Sequence, residues 1–476
     1  MSPDREGLAR VLEEVVGRAP GEFLSASDSI LEIRVRYVVA LLRGLCQAIR
    51  EERIVDWASV MALVSKISTR HPRCREWREG RLECVRLLGT GLKDDVIPFG
   101  LRSAVWAVID SAADDPDPSP EDDTESTFDP ATTSINTVRG EAMHAVVQYA
   151  LWVYRSVMDA RPGDSPAFDL NRIPEVRKRL DRHLDPAIEP SPSVRAVYGQ
   201  WFPHLTLLDA DWTEKNTDRI FSDRCPELRD AAWQTYLRLC PVYNRPFQLL
   251  RDQYAAAVHR LPGSDDDTAI ARGHPETRLG EHLLLMVGRG ILSWSDEDAL
   301  VRRYFENAKP NDGQGAIYRI GREFHRQETE FPAEVLERYE LLTEGLLGFL
   351  EEAGGERMGH LSSLGRWIAS GRFDSKWTLA HLHRLIRLAG TAKPYLDVMD
   401  CLVELVEAHP AETFEVFRFW VNVDQAERRL ILRRGEDART ILKMALANHA
   451  TSAEARALLD RLGADGYLGF RDLLKG

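Results

Sequence analysis

Apolar residues recur every three to four positions along almost the whole chain, with polar residues between them. Within residues 142–158, one helical face collects Met143, Val146, Val147, Ala150, Leu151, Tyr154, Val157 and Met158. Strand signals are nearly absent, because no Asn-Gly or Asp-Gly turn joins two alternating β-branched runs. The pattern predicts an all-α protein whose helices each bury one stripe against their neighbours.

The last third of the chain has the tightest joins between predicted helices. These helices cover residues 334–353, 358–370, 375–389, 394–408, 411–421, 425–434, 437–448 and 452–462. Short joins pack consecutive helices antiparallel, and repetition of that step generates a solenoid. Because the helix lengths vary and no residue recurs at a fixed period, we expect an irregular, HEAT-like helical-repeat array. The length of 476 residues favours two or three lobes or one elongated array.

Breaks in the pattern divide the chain into five segments. They are an N-terminal helical segment (1–113), an acidic proline-rich loop (114–133), a central helical segment (134–261), connecting helices (262–331) and a C-terminal helical-repeat array (332–476). Seven of the twelve residues from Asp114 to Glu125 are acidic, and Pro116, Pro118 and Pro120 alternate with them. Proline at alternate positions prevents helix and sheet ladders, so we expect an exposed, extended loop; its alternative role is an acidic docking strip.

Composition places the chain among soluble globular proteins. Hydrophobic residues make up 44% and charged residues 29%. No apolar run approaches the roughly 18 residues of a spanning helix, and the first residues lack a hydrophobic signal core, so we expect a cytoplasmic protein without a membrane partner. The six cysteines form no CxxC pair and are expected to be buried and reduced. The net charge of −13 argues against general coating of nucleic acid.

The usual catalytic and metal-binding motifs are missing. The run from Gly89 to Lys93 lacks the spacing and the hydroxyl of a phosphate-binding loop. His71, Cys74 and Cys84 have no fourth zinc ligand at a recognised spacing. No Gly-x-Ser-x-Gly nucleophile motif occurs. We therefore expect no catalytic residues, no cofactor and no metal site; an enzyme with a dispersed site is an alternative with little support.

Two clusters of basic residues and one group of aromatic residues stand out. The basic clusters are Arg172, Arg177, Lys178, Arg179 and Arg182, and Arg428, Arg429, Arg433, Arg434 and Arg439. Either cluster suits phosphate or an acidic partner, but acidic residues are interleaved with both, which favours a salt-bridged, solvated face. The aromatic residues from Tyr198 to Tyr254 mostly follow helical spacing, so core packing is their expected role.

Several short motifs resemble one class of bacterial protein. They are residues 134–142 (SINTVRGEA), 279–282 (LGEH) and 462–474 (LGADGYLGFRDLL), together with residues 212–221 and 232–236. They are similar to the C-terminal helical-repeat half of large bacterial anti-phage defence proteins, whose N-terminal halves carry an ATPase or an effector enzyme. The resemblance implies a non-catalytic sensor or scaffold that binds a protein partner, such as an ATPase or effector subunit, or a phage-derived ligand. The alternative function is a nucleic-acid-binding helical array that uses the arginine clusters.

The candidate interaction residues come from the first of these motifs and from the second arginine cluster. Asn136 is predicted to cap the helix over residues 139–158, and Gly140 to admit another backbone against its first turn. Arg139 and Glu141 are predicted to tie that turn to a neighbour, with ligand contact as the alternative. The full set is Asn136, Arg139, Glu141, Arg428, Arg429, Arg433 and Arg434.

Overall fold

In the computed structural model, all regular secondary structure of the described residues is helical. These are residues 5–26, 29, 31–32, 34–70, 74–119, 123, 129–159, 168–261, 275–327, 329–353, 361–423 and 428–474. Over these ranges the chain forms 25 α-helices, a helix content of 77%, and no strand. The prediction of an all-α protein is confirmed.

The chain forms two units, of which unit 1 is Met1–Leu250. Its helices are α1 (Arg5–Arg18), α2 (Pro20–Ser25), α3 (Val35–Arg50), α4 (Trp57–Arg70), α5 (Arg78–Lys93), α6 (Arg102–Ala112), α7 (Pro130–Ile135), α8 (Val138–Asp159), α9 (Pro174–His183), α10 (Pro192–Leu208), α11 (Ala210–Ile220), α12 (Pro226–Leu239) and α13 (Asn244–Leu249). Helices two places apart mostly pack side by side: α1 contacts α3, and α3 contacts α5, while α5 contacts α8, which is three places further along. The next steps run from α8 to α10 and from α10 to α12.

Unit 2 is Arg251–Gly476. Its helices are α14 (Arg251–His259), α15 (Pro275–Gly288), α16 (Leu300–Asn307), α17 (Pro310–Arg326), α18 (Ala333–Ala353), α19 (Leu364–Ile368), α20 (Ser375–Ala389), α21 (Tyr395–Leu405), α22 (Pro410–Val423), α23 (Arg428–Ile431), α24 (Gly435–Ala447) and α25 (Ser452–Ala464), followed by a 3-10 helix, Leu468–Leu474. Alternate helices are again neighbours, as in the steps α15–α17–α19 and α20–α22–α24.

Helix α8 lies at the centre of unit 1. Tyr149 and Trp152 on this helix are almost fully buried, and their rings contact each other at 5.8 Å. Of the ten aromatic residues noted between Tyr198 and Tyr254, only Trp201 and Tyr243 are not buried. Core packing is therefore the role of most of the group, as predicted. Burial extends to four of the six cysteines, whereas Cys74 is exposed and Cys225 is partly exposed, which corrects the expectation for those two.

The first half of the acidic segment is docked onto unit 1, and the expectation of an exposed loop is wrong there. Asp115 is 3% exposed, and its carboxylate lies 2.6 Å from Nε of the equally buried Arg81. Asp117 is also buried and pairs with Arg78 at 2.9 Å. These guanidinium groups supply the charge that makes burial of two carboxylates tolerable. Residues 120–122 and 124–128 of the segment lie outside the described residues.

Helix bounds in the last third follow the predictions to different degrees. The helix predicted over 375–389 has those bounds, because Asp374 caps its start and Gly390 ends it in a left-handed conformation. The helix predicted over 358–370 is described only as Leu364–Ile368, and residues 354–360 lie outside the described residues. The one predicted over 425–434 is described as Arg428–Ile431, with residues 424–427 outside.

Candidate functional site

A polar cavity of about 530 Å³ opens among helices α1, α3, α5 and α8 of unit 1. Small-molecule sites usually occupy roughly 300–1,000 Å³, so the volume suits a small ligand. The lining residues are Glu13 from α1; Arg43, Cys46, Gln47 and Arg50 from α3; Glu83, Arg86, Gly89, Thr90 and Lys93 from α5; Ile135 from α7; and Glu141 and Gln148 from α8. The lining is dominated by charged and amide side chains, which is unusual for a space between packed helices.

Helical spacing explains how two helices bring polar side chains into this cavity. On α3 the lining residues stand three, four and seven positions after Arg43. On α5 the lining residues with polar side chains stand three, seven and ten positions after Glu83, and Gly89 stands beside Thr90. Residues at these intervals lie on one face of a helix. Each helix therefore has a polar stripe towards the cavity beside its apolar stripe towards the core.

A buried carboxylate, Glu83, joins these two polar stripes. Its Oε1 accepts from Arg43 Nε at 3.0 Å and from Arg86 Nη1 at 2.9 Å. Arg43 also donates to Glu79 at 2.8 Å. Glu83 is 3% exposed, so the two guanidinium groups are needed to hold its charge inside the protein. This arrangement fixes one wall of the cavity.

The carboxyl group of Glu141 faces the cavity from the first turn of α8. Among the described residues, none donates a hydrogen bond to this carboxyl group. Burial, against the opposing charge of Arg86 and with a smaller contribution from the charge of Glu83, raises the pKa of Glu141 to about 7. Near neutral pH the group is therefore present in both protonation states, and it can accept or donate a hydrogen bond.

Gln148 stands two helical turns after Glu141 on the same face of α8. Its Oε1 is buried and receives no hydrogen bond from any described residue. Seven residues of α-helix advance about 10 Å, so the two polar groups lie at different depths of the cavity. A Cβ atom on Gly89 would approach Gln148 Oε1 to 2.6 Å, so only glycine leaves this oxygen its place. Ordered water or a ligand can satisfy such a group.

Two cations, Arg50 and Lys93, lie at the rim of the cavity. Each is the last residue of its helix and exposed, and within the described residues neither forms an ion pair with a carboxylate. Cations at helix C-termini offset the helix dipole, and that is their ordinary role. Cys46, deeper in the wall, is not a reactive thiol, because burial raises its pKa to about 12.

Asn136 lies beside the cavity but does not cap α8, which corrects the prediction. Its Nδ2 donates to Thr132 O at 2.9 Å, and its Oδ1 accepts from Arg86 Nη2 at 3.0 Å. The cap of α8 comes from the docked acidic segment instead. Asp117 Oδ2 accepts from Val138 N at 2.7 Å, and its carbonyl oxygen accepts from Arg139 N at 2.7 Å. A carboxylate brought from another segment thus occupies the position expected for a local cap.

Arg139 ties the first turn of α8 to its surroundings, as predicted. It donates to Asp115 O at 2.6 Å and to Pro118 O at 2.8 Å. Its Nε lies 2.9 Å from Glu189 Oε2, but this nitrogen makes no hydrogen bond of acceptable geometry, so we treat the contact as an ion pair. Gly140 allows the predicted close approach, because a Cβ atom there would overlap the backbone of Ser134. Arg139 is therefore a structural residue, while Glu141 points into the cavity.

The C-terminal arginine cluster is largely neutralised by acidic residues. Arg428 is buried and donates to Val421 O at 2.8 Å and to Asp465 at 2.7 Å. Arg434 pairs with Asp400 and with Asp437, and Arg439 pairs with Asp472 at 2.6 Å. Arg429 and Arg433 are exposed, and neither forms an ion pair within the described residues. These pairs agree with a salt-bridged face.

Two members of the other basic cluster, Arg179 and Arg182, are paired in the same way. Arg179 is buried, and its guanidinium lies 2.5 Å from Asp110 and 2.8 Å from Asp114. Arg182 adds a contact of 3.3 Å to Asp114. Asp114 belongs to the acidic segment, so this pair also fastens that segment to unit 1.

A serine–histidine contact near the cavity has the wrong polarity for nucleophilic catalysis. Ser134 Oγ lies 2.9 Å from His144 Nε2, while Trp201 Nε1 donates to His144 Nδ1 at 2.7 Å. The neutral imidazole therefore carries its proton on Nε2 and donates it to Ser134. Burial lowers the pKa of His144 to about 4, which keeps the ring neutral. Such a histidine cannot take the proton of the serine, so the contact is structural.

Sequence reasoning found Glu141 but missed most of the cavity. Arg43, Glu83 and Gln148 were not singled out, and the segment from Gly89 to Lys93 was considered only as a phosphate-binding loop. That segment is the last turn of α5, so its side chains and not its backbone face the cavity. One sequence pattern could have predicted the cavity: α3 and α5 each have a second stripe of polar residues, at helical spacing, beside the apolar stripe.

Comparison with family models, with curated proteins and with solved structures finds no match to this chain. In the part of the chain that the structure describes, every helix is too short or too polar to cross a lipid bilayer. The same part contains no cluster of three or more His, Cys, Asp or Glu side chains placed to hold a metal ion.

Proposed function

We propose that this chain is a non-catalytic recognition protein of a bacterial defence system and that the cavity of unit 1 is its ligand site. One observation carries the proposal: Glu141 and Gln148 both present polar groups to a cavity of about 530 Å³ without a hydrogen-bond partner among the described residues. A buried acceptor without a donor, such as Gln148 Oε1, costs stability, and a bound molecule that donates to it removes that cost. Local contacts that lower the stability of the folded protein are typical of binding sites.

The assignment to defence rests on the resemblance carried by residues 134–142, 279–282 and 462–474. The first of these motifs contains Glu141 and therefore reaches the cavity wall. In this proposal the protein acts in the cytoplasm, and any catalytic step belongs to a partner ATPase or effector subunit. The side-by-side packing of alternate helices in both units supports an irregular helical-repeat array as the scaffold.

Recovery of the ligand from cells tests this function. The full chain and its Thr90→Trp variant are purified under native conditions, bound small molecules are released with organic solvent, and mass spectrometry identifies them. Thr90 lines the cavity, so a tryptophan there fills it. We expect a compound in near-stoichiometric amount with the wild-type chain and its loss from the variant.

Circular dichroism and thermal melting establish that the variant is folded. The Gln148→Leu variant, which removes one unpaired group and adds no bulk, should also lose the compound. Equal recovery from the wild-type chain and both variants, or no compound from any of them, would contradict the proposed site.

A further inference from the structure

We infer that the ligand of the unit 1 cavity is a small molecule with a phosphate monoester at one end and hydroxyl or amino hydrogen-bond donors at the other. The inference rests on the proposed function and specifies its ligand. Nucleotides and sugar phosphates both have this chemistry. The positive charges of Arg50 and Lys93 at the rim favour a phosphate, and the polar groups of Gln148 and Glu141 inside favour hydrogen-bond donors.

The charge balance of the cavity leaves two cations without a carboxylate. Arg43 and Arg86 share the buried Glu83, and the carboxylate of Glu13 adds its charge beside Arg43. Arg50 and Lys93 remain at the rim, without an ion pair to any described residue. A phosphate monoester carries up to two negative charges near neutral pH and binds both guanidinium and ammonium groups. Its two negative charges match these two cations while Glu141 is protonated; when Glu141 is ionised, the lining keeps one uncompensated positive charge, which a phosphate monoanion matches.

The interior of the cavity requires hydrogen-bond donors. Gln148 presents a carbonyl oxygen, which can only accept. Glu141 presents a carboxyl group with no protein partner among the described residues. Hydroxyl and amino groups satisfy both, and two such groups about 10 Å apart along α8 suit an extended molecule.

Two other classes of ligand fit less well. An apolar molecule would leave Gln148 Oε1 buried and unpaired, at the full cost of its desolvation. A polyamine would pair with Glu141, but it would meet like charges at Arg50 and Lys93. A donor-rich anion satisfies the interior and the rim together.

Titration calorimetry with the full chain tests the inference. The probes are adenosine 5′-monophosphate, ribose 5-phosphate, inorganic phosphate and adenosine. We expect micromolar binding of at least one of the two phosphate monoesters, and binding at least about tenfold weaker of both inorganic phosphate and adenosine. The order of the two monoesters distinguishes a nucleotide from a sugar phosphate as the preferred ligand.

Variants locate the binding. Arg50→Gln/Lys93→Gln should weaken binding of the monoester at least about tenfold, because two charged contacts are lost. Lys178→Gln/Lys215→Gln makes the same change of net charge at exposed positions of unit 1 away from the cavity, and should bind as the wild-type chain does. Gln148→Leu keeps the charge of the rim and should also bind at least about tenfold more weakly.

Three results would overturn the inference. They are failure of both monoesters to bind below millimolar concentration, equal binding of inorganic phosphate and the monoesters, and equal affinity of the rim variant and its charge control. These results are separate from a failure of the proposed function. If the compound released from the wild-type chain contains no phosphate and is lost from Thr90→Trp, the inference fails while the function stands.

Discussion

At the scale of single residues, the strongest indication of a binding site is the buried side-chain oxygen of Gln148. Its buried Oε1 has no donor among the described residues, and its neighbour is a glycine that leaves room for it. Replacement by leucine has nearly the same size and removes the unpaired acceptor. We therefore expect Gln148→Leu to stabilise the ligand-free chain by about 1 kcal/mol.

Urea unfolding of ligand-free protein measures this change. A loss of stability would show that Oε1 is well satisfied in solution, for example by ordered water, and would remove the main support for the site. Gln234→Leu, at another polar position of unit 1, controls for the general effect of a glutamine-to-leucine change.

Glu141 gives the chain a specific pH dependence. Burial raises its pKa from 4.5 to about 7, so between these values the folded state holds a proton that the unfolded chain has released. The contribution of Glu141 to the free energy of unfolding therefore falls as the pH rises from about 4.5 to 7. Glu141→Gln removes this dependence, so its stability relative to wild type should rise by about 1–3 kcal/mol over that window.

Urea unfolding at a series of pH values tests this expectation. Glu22→Gln, at an exposed position of unit 1, should follow the wild-type curve. Parallel curves for Glu141→Gln and the wild-type chain would show that the carboxyl group is solvated or paired, and not held in a poorly solvated cavity.

At the scale of elements, the docked acidic segment fixes the start of α8 and thereby the position of Glu141. Asp115 pairs with buried Arg81, and Asp117 caps α8. Asp115→Ala leaves the Arg81 guanidinium buried without its carboxylate. We therefore expect the free energy of unfolding of unit 1 to fall by about 3 kcal/mol. Asp218→Ala, at an exposed helical position of the same unit, should change stability by less than about 0.5 kcal/mol.

Thermal and urea unfolding compare the two variants. Equal melting temperatures of Asp115→Ala and the wild-type chain would instead support the exposed loop that the sequence predicts.

The C-terminal arginine cluster contains both buried and exposed arginines within a few residues of each other. Arg428 is buried against Val421 O and Asp465, so Arg428→Ala should destabilise unit 2 by about 2 kcal/mol. Arg429→Glu/Arg433→Glu changes two exposed residues and should leave stability nearly unchanged.

The same double variant tests the nucleic-acid alternative. We expect no measurable binding of DNA or RNA at physiological salt by either the wild-type chain or the variant, because the net charge is −13 and most of the cluster is paired. Micromolar binding by the wild-type chain that disappears in the variant would favour the nucleic-acid function instead.

For the whole molecule, the sequence predicted the helices much better than the cavity. Apolar periodicity and local caps decide where a helix lies, which is why the helix over 375–389 was predicted with its observed bounds. The cavity depends on which faces of distant helices meet. Glu83 and Gln148 approach each other only because α5 packs against α8, and no local pattern records that pairing.

The prediction for the docked acidic segment was wrong for the same reason, because its contacts are with distant parts of the chain. Its proline and acidic content predicted an extended loop over residues 114–133, whereas Asp123 is helical and α7 begins at Pro130. The buried partner of Asp115, Arg81, lies on a helix well upstream. Composition alone could not reveal that this segment meets basic groups that compensate its charge.

The central claim is that the unit 1 cavity binds a small molecule, and a high-resolution crystal structure of the full chain purified natively from cells tests it most directly. We expect electron density for a bound molecule inside the cavity, with a donor within hydrogen-bond distance of Gln148 Oε1 and contacts to Glu141. A cavity occupied only by ordered water, in crystals of the natively purified chain and in crystals grown with adenosine 5′-monophosphate and ribose 5-phosphate, would contradict it.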